Sequence, residues 1–275
     1  MNYKITHIGE PIYDLKWKSG TVIGIYNSCF NVLTDTNQLI TFFKKTNKFS
    51  TRALVTDIES PIPLQCLSEG AKAFCNGKSI TVGDLVFDLT GAEKIVTNYP
   101  PVKATAEYTK NISLFEDILK RNCKKSPIFE NGIIKEKAEK GFKILKTDLV
   151  SGFESLIGLG IGLTPSCDDM LAGMSAWFHL TDTGHEFNKS LAEFLDKKGD
   201  LVTTTVSKNL LLDYAKGHIN EIVYNVIKSI LTNKGDIEKY TLQLIGYGSS
   251  SGTETCVGIL NGYNFIKEKE LIKWL

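Results

Sequence analysis

The sequence predicts an α+β protein in which an N-terminal β barrel or sandwich at residues 1–101 is followed by a mainly α-helical domain at residues 102–275. In the first part, short runs of β-branched and aromatic residues alternate with Gly, Asn, Asp and Pro. At Tyr99-Pro100-Pro101 this pattern stops, and apolar residues then recur at helical spacing. A chain of 275 residues with 42% hydrophobic content can bury a core in each part.

The predicted strands lie between turn-forming residues such as Asn76-Gly77 and Gly83-Asp84, whose spacing is typical of a small barrel or sandwich. The first part of the chain is therefore predicted to be all-β. Its strands are expected at residues 3–8, 20–26, 38–43, 53–56, 85–89 and 93–97.

Beyond residue 101, the spacing of Ile112, Phe115 and Ile118 predicts the first of several helices. The sequence shows no low-complexity tract and no repeat of the solenoid kind in this part. Further helices are expected at residues 136–156, 168–180, 187–197, 201–216, 219–231, 237–245 and 253–260.

Composition restricts the class of protein. The formal net charge of +1 gives no global field that would attract nucleic acid or an anionic membrane. No run approaches the roughly 18 apolar residues of a membrane span, and the N-terminus lacks a signal-like apolar stretch. The six cysteines form no C-x-x-C pair, so neither a disulfide framework nor a structural zinc site is expected. We therefore expect a soluble, cytoplasmic protein.

A glycine-rich loop at residues 158–169 leads directly into an apolar segment. Pro165 favours an extended conformation at Thr164, and Ser166 with Asp169 has the form of a capping box. A helix is therefore predicted to begin at Ser166, with free backbone N–H groups at its start.

A second loop at residues 246–258 repeats this design. Ser251 and Glu254 match the serine and the aspartate of the first capping box. Gly173 and Gly258 follow the two serines at equal distances, and a missing side chain there would let two helices approach closely. The two loops thus predict an internal pseudo-symmetry.

If the two helix starts face each other, their N–H groups, positive helix ends and hydroxyls form a pocket suited to a small anion. The alternative is that these residues only cap helices and form turns. Two residues from elsewhere join the candidates: Thr205 in a hydroxyl-rich stretch, and Asn31, which is equally typical of a strand end. The candidate ligand-binding residues of the loops are Gly160, Gly162, Thr164, Ser166, Ser250, Ser251, Gly252 and Glu254.

Asp168 and Asp169 are the candidate catalytic residues. Asp168 falls in the first helical turn, where the helix dipole stabilises a carboxylate, so it serves either capping or chemistry. In the chemical interpretation it accepts hydrogen bonds from an amide or carbamoyl NH2, or helps to hold a hydrated Mg²⁺ ion. The sequence does not separate these roles, so no metal ligand and no cofactor is assigned.

The strings GLGIGLTPSCDDMLAG at 158–173 and GYGSSSGTETCVGIL at 246–260 resemble the two signature loops of the AllH-like family. Supporting pieces are Phe30-Asn31 and the stretches at 85–96 and 203–217. Two positions depart from the family pattern: Cys167 stands where the family usually has Gly, and Tyr247 where it commonly has His. Both departures are expected to face the pocket.

The resemblance implies a subunit of an oxamate carbamoyltransferase that works with FdrA-like and AllG-like subunits in anaerobic allantoin breakdown. The overall reaction would be phosphorolysis of oxalurate to oxamate and carbamoyl phosphate. One alternative is a noncatalytic scaffold that docks those partners. The other is a small-molecule phosphotransferase that binds ATP phosphates with its loops, against which the lack of a basic residue in either loop counts.

Overall fold

The computed structural model describes residues 1–46, 50–59, 67–130 and 132–267. The chain divides into two compact units, Met1–Asn98 and Tyr99–Leu275. Strands fill the first unit and helices the second, so the predicted α+β class is confirmed.

The strands of the first unit close into a barrel. They are β1 (Asn2–Gly9), β2 (Ser19–Ile25), β3 (Cys29–Thr34), β4 (Leu39–Phe43), β5 (Ala53–Thr56), β6 (Lys72–Cys75), β7 (Ser79–Val82), β8 (Leu85–Asp88) and β9 (Glu93–Ile95), with the short helix α1 (Glu10–Tyr13) after β1. Neighbours follow the order β5-β4-β3-β2-β6-β7-β8-β1, and β1 pairs back with β5 to complete the ring. Closure removes the exposed sheet edges, while β9 extends alongside the last residues of β1.

Aromatic side chains fill the barrel. Phe30 and Phe42 stack with ring centroids 4.5 Å apart, and Phe87 lies 5.0 Å from Phe42. All three are fully buried and come from three different strands, β3, β4 and β8, which they join in a common core. On the same sheet, the Thr41 hydroxyl donates to Asn31 Oδ1 at 2.8 Å.

The second unit is built around two buried helices. Its helices are α2 (Tyr108–Asn122), α3 (Ile133–Leu145), α4 (Leu149–Leu156), α5 (Ser166–Leu180), α6 (His185–Val202), α7 (Thr205–Ala215), α8 (Glu221–Thr232), α9 (Ile237–Ile245) and α10 (Ser251–Ile266). Helices α5 and α10 are buried along almost their whole length, as expected of central helices that lack a polar face. Among the described residues, none of the helices is long and apolar enough to cross a membrane.

Two glycines bring α5 and α10 into backbone contact, as predicted. A Cβ on Gly173 would lie 2.2 Å from the Thr255 carbonyl oxygen, and one on Gly258 would lie 2.0 Å from that of Met170. Further along, Gly262 of α10 packs against Trp177 of α5. Thr164 contacts Ser251 at the helix starts and Trp177 contacts Gly262 further along, so the helices run parallel and start at the same end of the unit.

Two divisions between helices were predicted wrongly. The helix predicted at 136–156 is two helices, because the Asp148 side chain accepts from Ser151 N at 3.1 Å and starts α4 anew. Residues 201–202 belong to α6, and Thr204 caps α7 by accepting from Ser207 N. In both places a side-chain cap interrupts a continuous apolar pattern.

Candidate functional site

The first loop supports the start of α5 with its backbone. The helix begins at Ser166, as predicted, but the proposed capping box is wrong, since the N-cap is Pro165 and makes no side-chain cap bond. Instead Cys167 N donates to Leu159 O at 3.0 Å. Gly160 permits this fold, because its φ is +140° and a Cβ there would lie 2.2 Å from Ser166 N.

The second loop starts α10 in a related way. Ser250 is the N-cap, again without a side-chain cap bond, so the second predicted capping box is also wrong. Gly252 N donates to Tyr247 O at 3.1 Å. A Cβ on Gly252 would lie 1.7 Å from Leu244 O at the end of α9, so only glycine fits against that helix.

The two helix starts meet, as the paired loops in the sequence predict. Thr164 Oγ1 lies 3.1 Å from Ser251 Oγ, which joins the first loop to the first residue of α10. The carboxyl group of Asp169 lies beside both hydroxyls, which lower its pKa. Thr164, Ser251 and Asp169 therefore form one polar group between the two helices.

Asp169 is the unusual member of this group. Its side chain is 3% exposed, and its Oδ2 has no hydrogen-bond partner among the described residues. Burial raises the pKa of Asp169 well above its ordinary value, and the negative charge of Glu254 adds to that effect. The Ser251 and Thr164 hydroxyls lower the pKa of Asp169 without cancelling the effect of burial. The geometry thus holds a buried carboxyl group that retains its proton above the usual pH.

Asp168 faces a different set of partners. Its Oδ1 accepts from Gly158 N at 2.7 Å, and its Oδ2 accepts from Thr203 at 2.5 Å and from Ser207 at 2.6 Å. Burial raises the pKa of Asp168, while these three bonds lower it. Asp168 therefore ties the first loop to the segment that joins α6 and α7.

We expect Asp168→Asn to lower the free energy of unfolding by about 2–4 kcal/mol. An amide presents one oxygen to three donors, so at least one buried donor would lose its partner. Urea unfolding measures the change, with the exposed Asp196→Asn as the matched control. A loss no larger than that of the control would contradict the anchoring role.

Two residues of the site gave no signal in the sequence. Ser126 Oγ donates to Oε1 of the buried Glu254 at 2.5 Å. Lys124 N donates to Thr253 Oγ1 at 3.1 Å, and Lys124 Nζ donates to Gly248 O at 2.8 Å. The segment 124–126 thus lies against the first turn of α10 and brings a cation to a loop that contains none.

Three other predicted residues belong to different elements. Gly162 has a φ of +92° with open space around its Cα, and Thr205 begins α7 half-buried. From the same hydroxyl-rich stretch, Thr204 Oγ1 donates to Leu163 O at 2.5 Å, so this stretch does reach the first loop. Asn31 lies on β3 in the first unit.

The surroundings of the site carboxylates and of the two unusual positions, Cys167 and Tyr247, are as follows in the structure. In the described part of the chain, no three His, Cys, Asp or Glu side chains are grouped as metal ligands. Cys167 is fully buried, and burial raises the pKa of its thiol well above the usual value, so the thiol stays protonated. Tyr247 is 38% exposed at the beginning of the second loop.

No solved structure matches the chain. One family model matches residues 156–263, a span that contains both glycine-rich loops together with α5 and most of α10. The matching model is that of the AllH family, described as oxamate carbamoyltransferase subunit AllH, so the chain is similar to that family through this region.

Proposed function

We propose that the chain is a subunit of a carbamoyltransferase complex of anaerobic ureide catabolism, and that it binds a small amide-bearing anion where α5 and α10 begin. The observation that carries the proposal is the buried, unpartnered Oδ2 of Asp169 between the two helix starts. FdrA-like and AllG-like subunits are the proposed partners, and oxalurate or oxamate is the proposed ligand.

The unpartnered oxygen favours an amide ligand. A buried polar atom without a hydrogen bond costs about 1–3 kcal/mol, so native proteins rarely leave one unmatched. A carbamoyl or oxamate NH2 group supplies the missing donor. Its arrival at Asp169 Oδ2 would complete the group already formed with Thr164 and Ser251.

The protonation of Asp169 lets the same place accept an anion. The three buried carboxyl groups of Asp168, Asp169 and Glu254 would repel an anionic ligand if all were charged, but the raised pKa of Asp169 keeps its carboxyl uncharged to a higher pH than usual. The two parallel helices add positive partial charge at their starts. Ser166, Ser250 and Gly252 lie at those starts and are proposed to contact the anionic end of the ligand.

The proposed reaction needs a proton and a stabilised oxyanion. In phosphorolysis of oxalurate, a phosphate oxygen bonds to the carbamoyl carbon, the bond from that carbon to the oxamate nitrogen breaks, and the nitrogen takes a proton. Asp169 is proposed as the donor of that proton, because its carboxyl stays protonated at higher pH than usual. The Thr164 and Ser251 hydroxyls are proposed to stabilise the oxyanion.

Asp168 is proposed as a positioning residue for the same reaction. The expectation that it receives a substrate amide stays a prediction, and its three bonds inside the protein favour an indirect role instead. By holding Gly158 against the segment between α6 and α7, it fixes the loop that carries Thr164.

We expect Asp169→Asn to reduce kcat of the assembled complex by about 10²–10⁴, the usual contribution of a general acid. The assay is carbamoyl phosphate formation from oxalurate and phosphate, with the companion subunits present. Asp196→Asn is the matched control, and size-exclusion chromatography checks that both variants assemble. Full activity in a correctly assembled Asp169→Asn complex would refute the proton-donor role.

A second candidate function is favoured by one observation. Ile161 and Leu163 on the first loop are 65% and 46% exposed, and exposed apolar side chains on a loop suit the docking of a partner subunit. If docking is the loop's main role, Ile161→Glu with Leu163→Glu abolishes co-purification with the partners and leaves oxamate affinity unchanged. Loss of oxamate binding with intact co-purification would instead support the ligand site.

A further inference from the structure

We propose that Lys124 forms a phosphate subsite over the first turn of α10, next to the place where Asp169 receives the amide. This inference rests on the proposed function and deepens it. It divides the site into a phosphate end at the second loop and an amide end at Asp169. The ligand class is inorganic phosphate or the phosphate group of an acyl phosphate.

The position of Lys124 is fixed at two points. Its backbone N–H donates to Thr253 Oγ1 at 3.1 Å, on the first turn of α10. Two residues further on, the Ser126 hydroxyl donates to Glu254 Oε1 at 2.5 Å. These two bonds hold the backbone of segment 124–126 along the start of α10. The Lys124 side chain can still rotate.

The present partner of the ammonium group is replaceable. Lys124 Nζ donates to Gly248 O at 2.8 Å, and Lys124 makes no ion pair with a carboxylate among the described residues. A backbone carbonyl is a neutral acceptor, whereas a phosphate oxygen carries charge and forms a stronger, charge-assisted bond. The ammonium can exchange one acceptor for the other by side-chain rotation, because the backbone of the segment stays anchored.

The surroundings suit a phosphate group at this point. Neither glycine-rich loop contains Lys or Arg, so Lys124 brings the positive side chain that the second loop lacks. The start of α10 adds the positive end of a helix of 16 residues. Ser249 and Ser250, immediately before that helix, offer hydroxyl donors.

The amide end gives independent support for a ligand here. Asp169 Oδ2 is buried without a partner, which marks a missing donor beside Ser251. Ser251 begins the same helix whose first turn holds Lys124. A ligand that joins a phosphate to a carbamoyl group would therefore contact the Lys124 ammonium at one end and the protonated Asp169 carboxyl at the other. Phosphate and oxalurate bound side by side would make the same two contacts.

The test is calorimetric titration of the full chain with inorganic phosphate and, separately, with oxamate in chloride buffer. We expect Lys124→Ala to weaken phosphate binding by at least about tenfold, while Lys124→Arg stays within about threefold of the wild type. Lys125→Ala, the exposed neighbour of equal charge, is the control and should bind phosphate as the wild type does. Oxamate affinity should be the same in all four proteins.

The outcomes separate this inference from the proposed function. If Lys124→Ala and Lys124→Arg both fold and bind phosphate like the wild type, the subsite is refuted and the amide site stands. If the wild type binds oxamate but not phosphate, the subsite is likewise refuted. If the wild type binds neither ligand, the proposed function fails and this inference fails with it.

Discussion

Gly258→Leu should abolish stable folding of the helical unit, and Gly258→Ala should lower its free energy of unfolding by about 3 kcal/mol. The added Cβ would lie 2.0 Å from the Met170 carbonyl oxygen. That neighbour is backbone, so it cannot rotate away as a side chain would. The helices α5 and α10 would have to separate, which also loosens the contacts that bring Thr164 and Ser251 together.

Gly246→Ala is the matched control for this prediction. Gly246 has helical φ and ψ angles of −66° and −15°, and an added Cβ would meet no atom closer than 3.3 Å. Its replacement should change the free energy of unfolding by less than about 0.5 kcal/mol. Urea unfolding followed by circular dichroism gives both values. Equal stability of the two alanine variants would contradict the backbone contact between α5 and α10.

Asp169→Asn should make the protein more stable than the wild type at neutral pH, by an amount that grows as pH rises. The pKa of Asp169 is raised well above its ordinary value of 3.8, so the folded state keeps a proton that the unfolded state releases. The contribution of this group to stability is therefore fully present below pH 3.8 and is lost as pH rises toward the folded-state pKa. Within that window the loss is about 1.4 kcal/mol per pH unit.

Urea unfolding of the wild type and Asp169→Asn across the pH range measures this difference. The two stability profiles should diverge above the ordinary carboxyl pKa and run parallel again once Asp169 is ionised in the folded state. Asp196→Asn, an exposed carboxyl on α6, should follow the wild-type profile. Parallel profiles for the wild type and Asp169→Asn throughout would show that Asp169 has an ordinary pKa.

Apolar patterns and capping residues in the sequence predicted much of the fold, because they occur where strands and helices begin and end. The bounds of β5 and α9 were predicted correctly, and an Asp236 cap at Lys239 N starts α9 where the apolar pattern begins. The strands β3, β6 and β7 were missed, since each is short and their pairing depends on distant residues. Nothing local shows that β1 pairs with both β5 and β8, which is what closes the barrel.

The site was predictable where glycine marks a close approach. The matching positions of Gly173 and Gly258 predicted that α5 and α10 touch, and the structure shows backbone contact at both. Lys124 and Ser126 were not predictable, because their segment carries no glycine and reaches α10 only through tertiary folding. The partners of Asp168 were likewise hidden, since hydroxyl-rich stretches are as typical of helix caps as of binding sites.

The central claim is that Asp169, between the starts of α5 and α10, receives the amide of a small anion. Calorimetric titration of the chain with oxamate tests it most directly, with the wild type and Asp169→Asn compared at neutral pH. We expect the wild type to bind oxamate and the variant to bind it at least about tenfold more weakly, because the side-chain amide of the variant would place an N–H donor against the donor NH2 of the ligand. Equal oxamate affinity in the two proteins would contradict the claim.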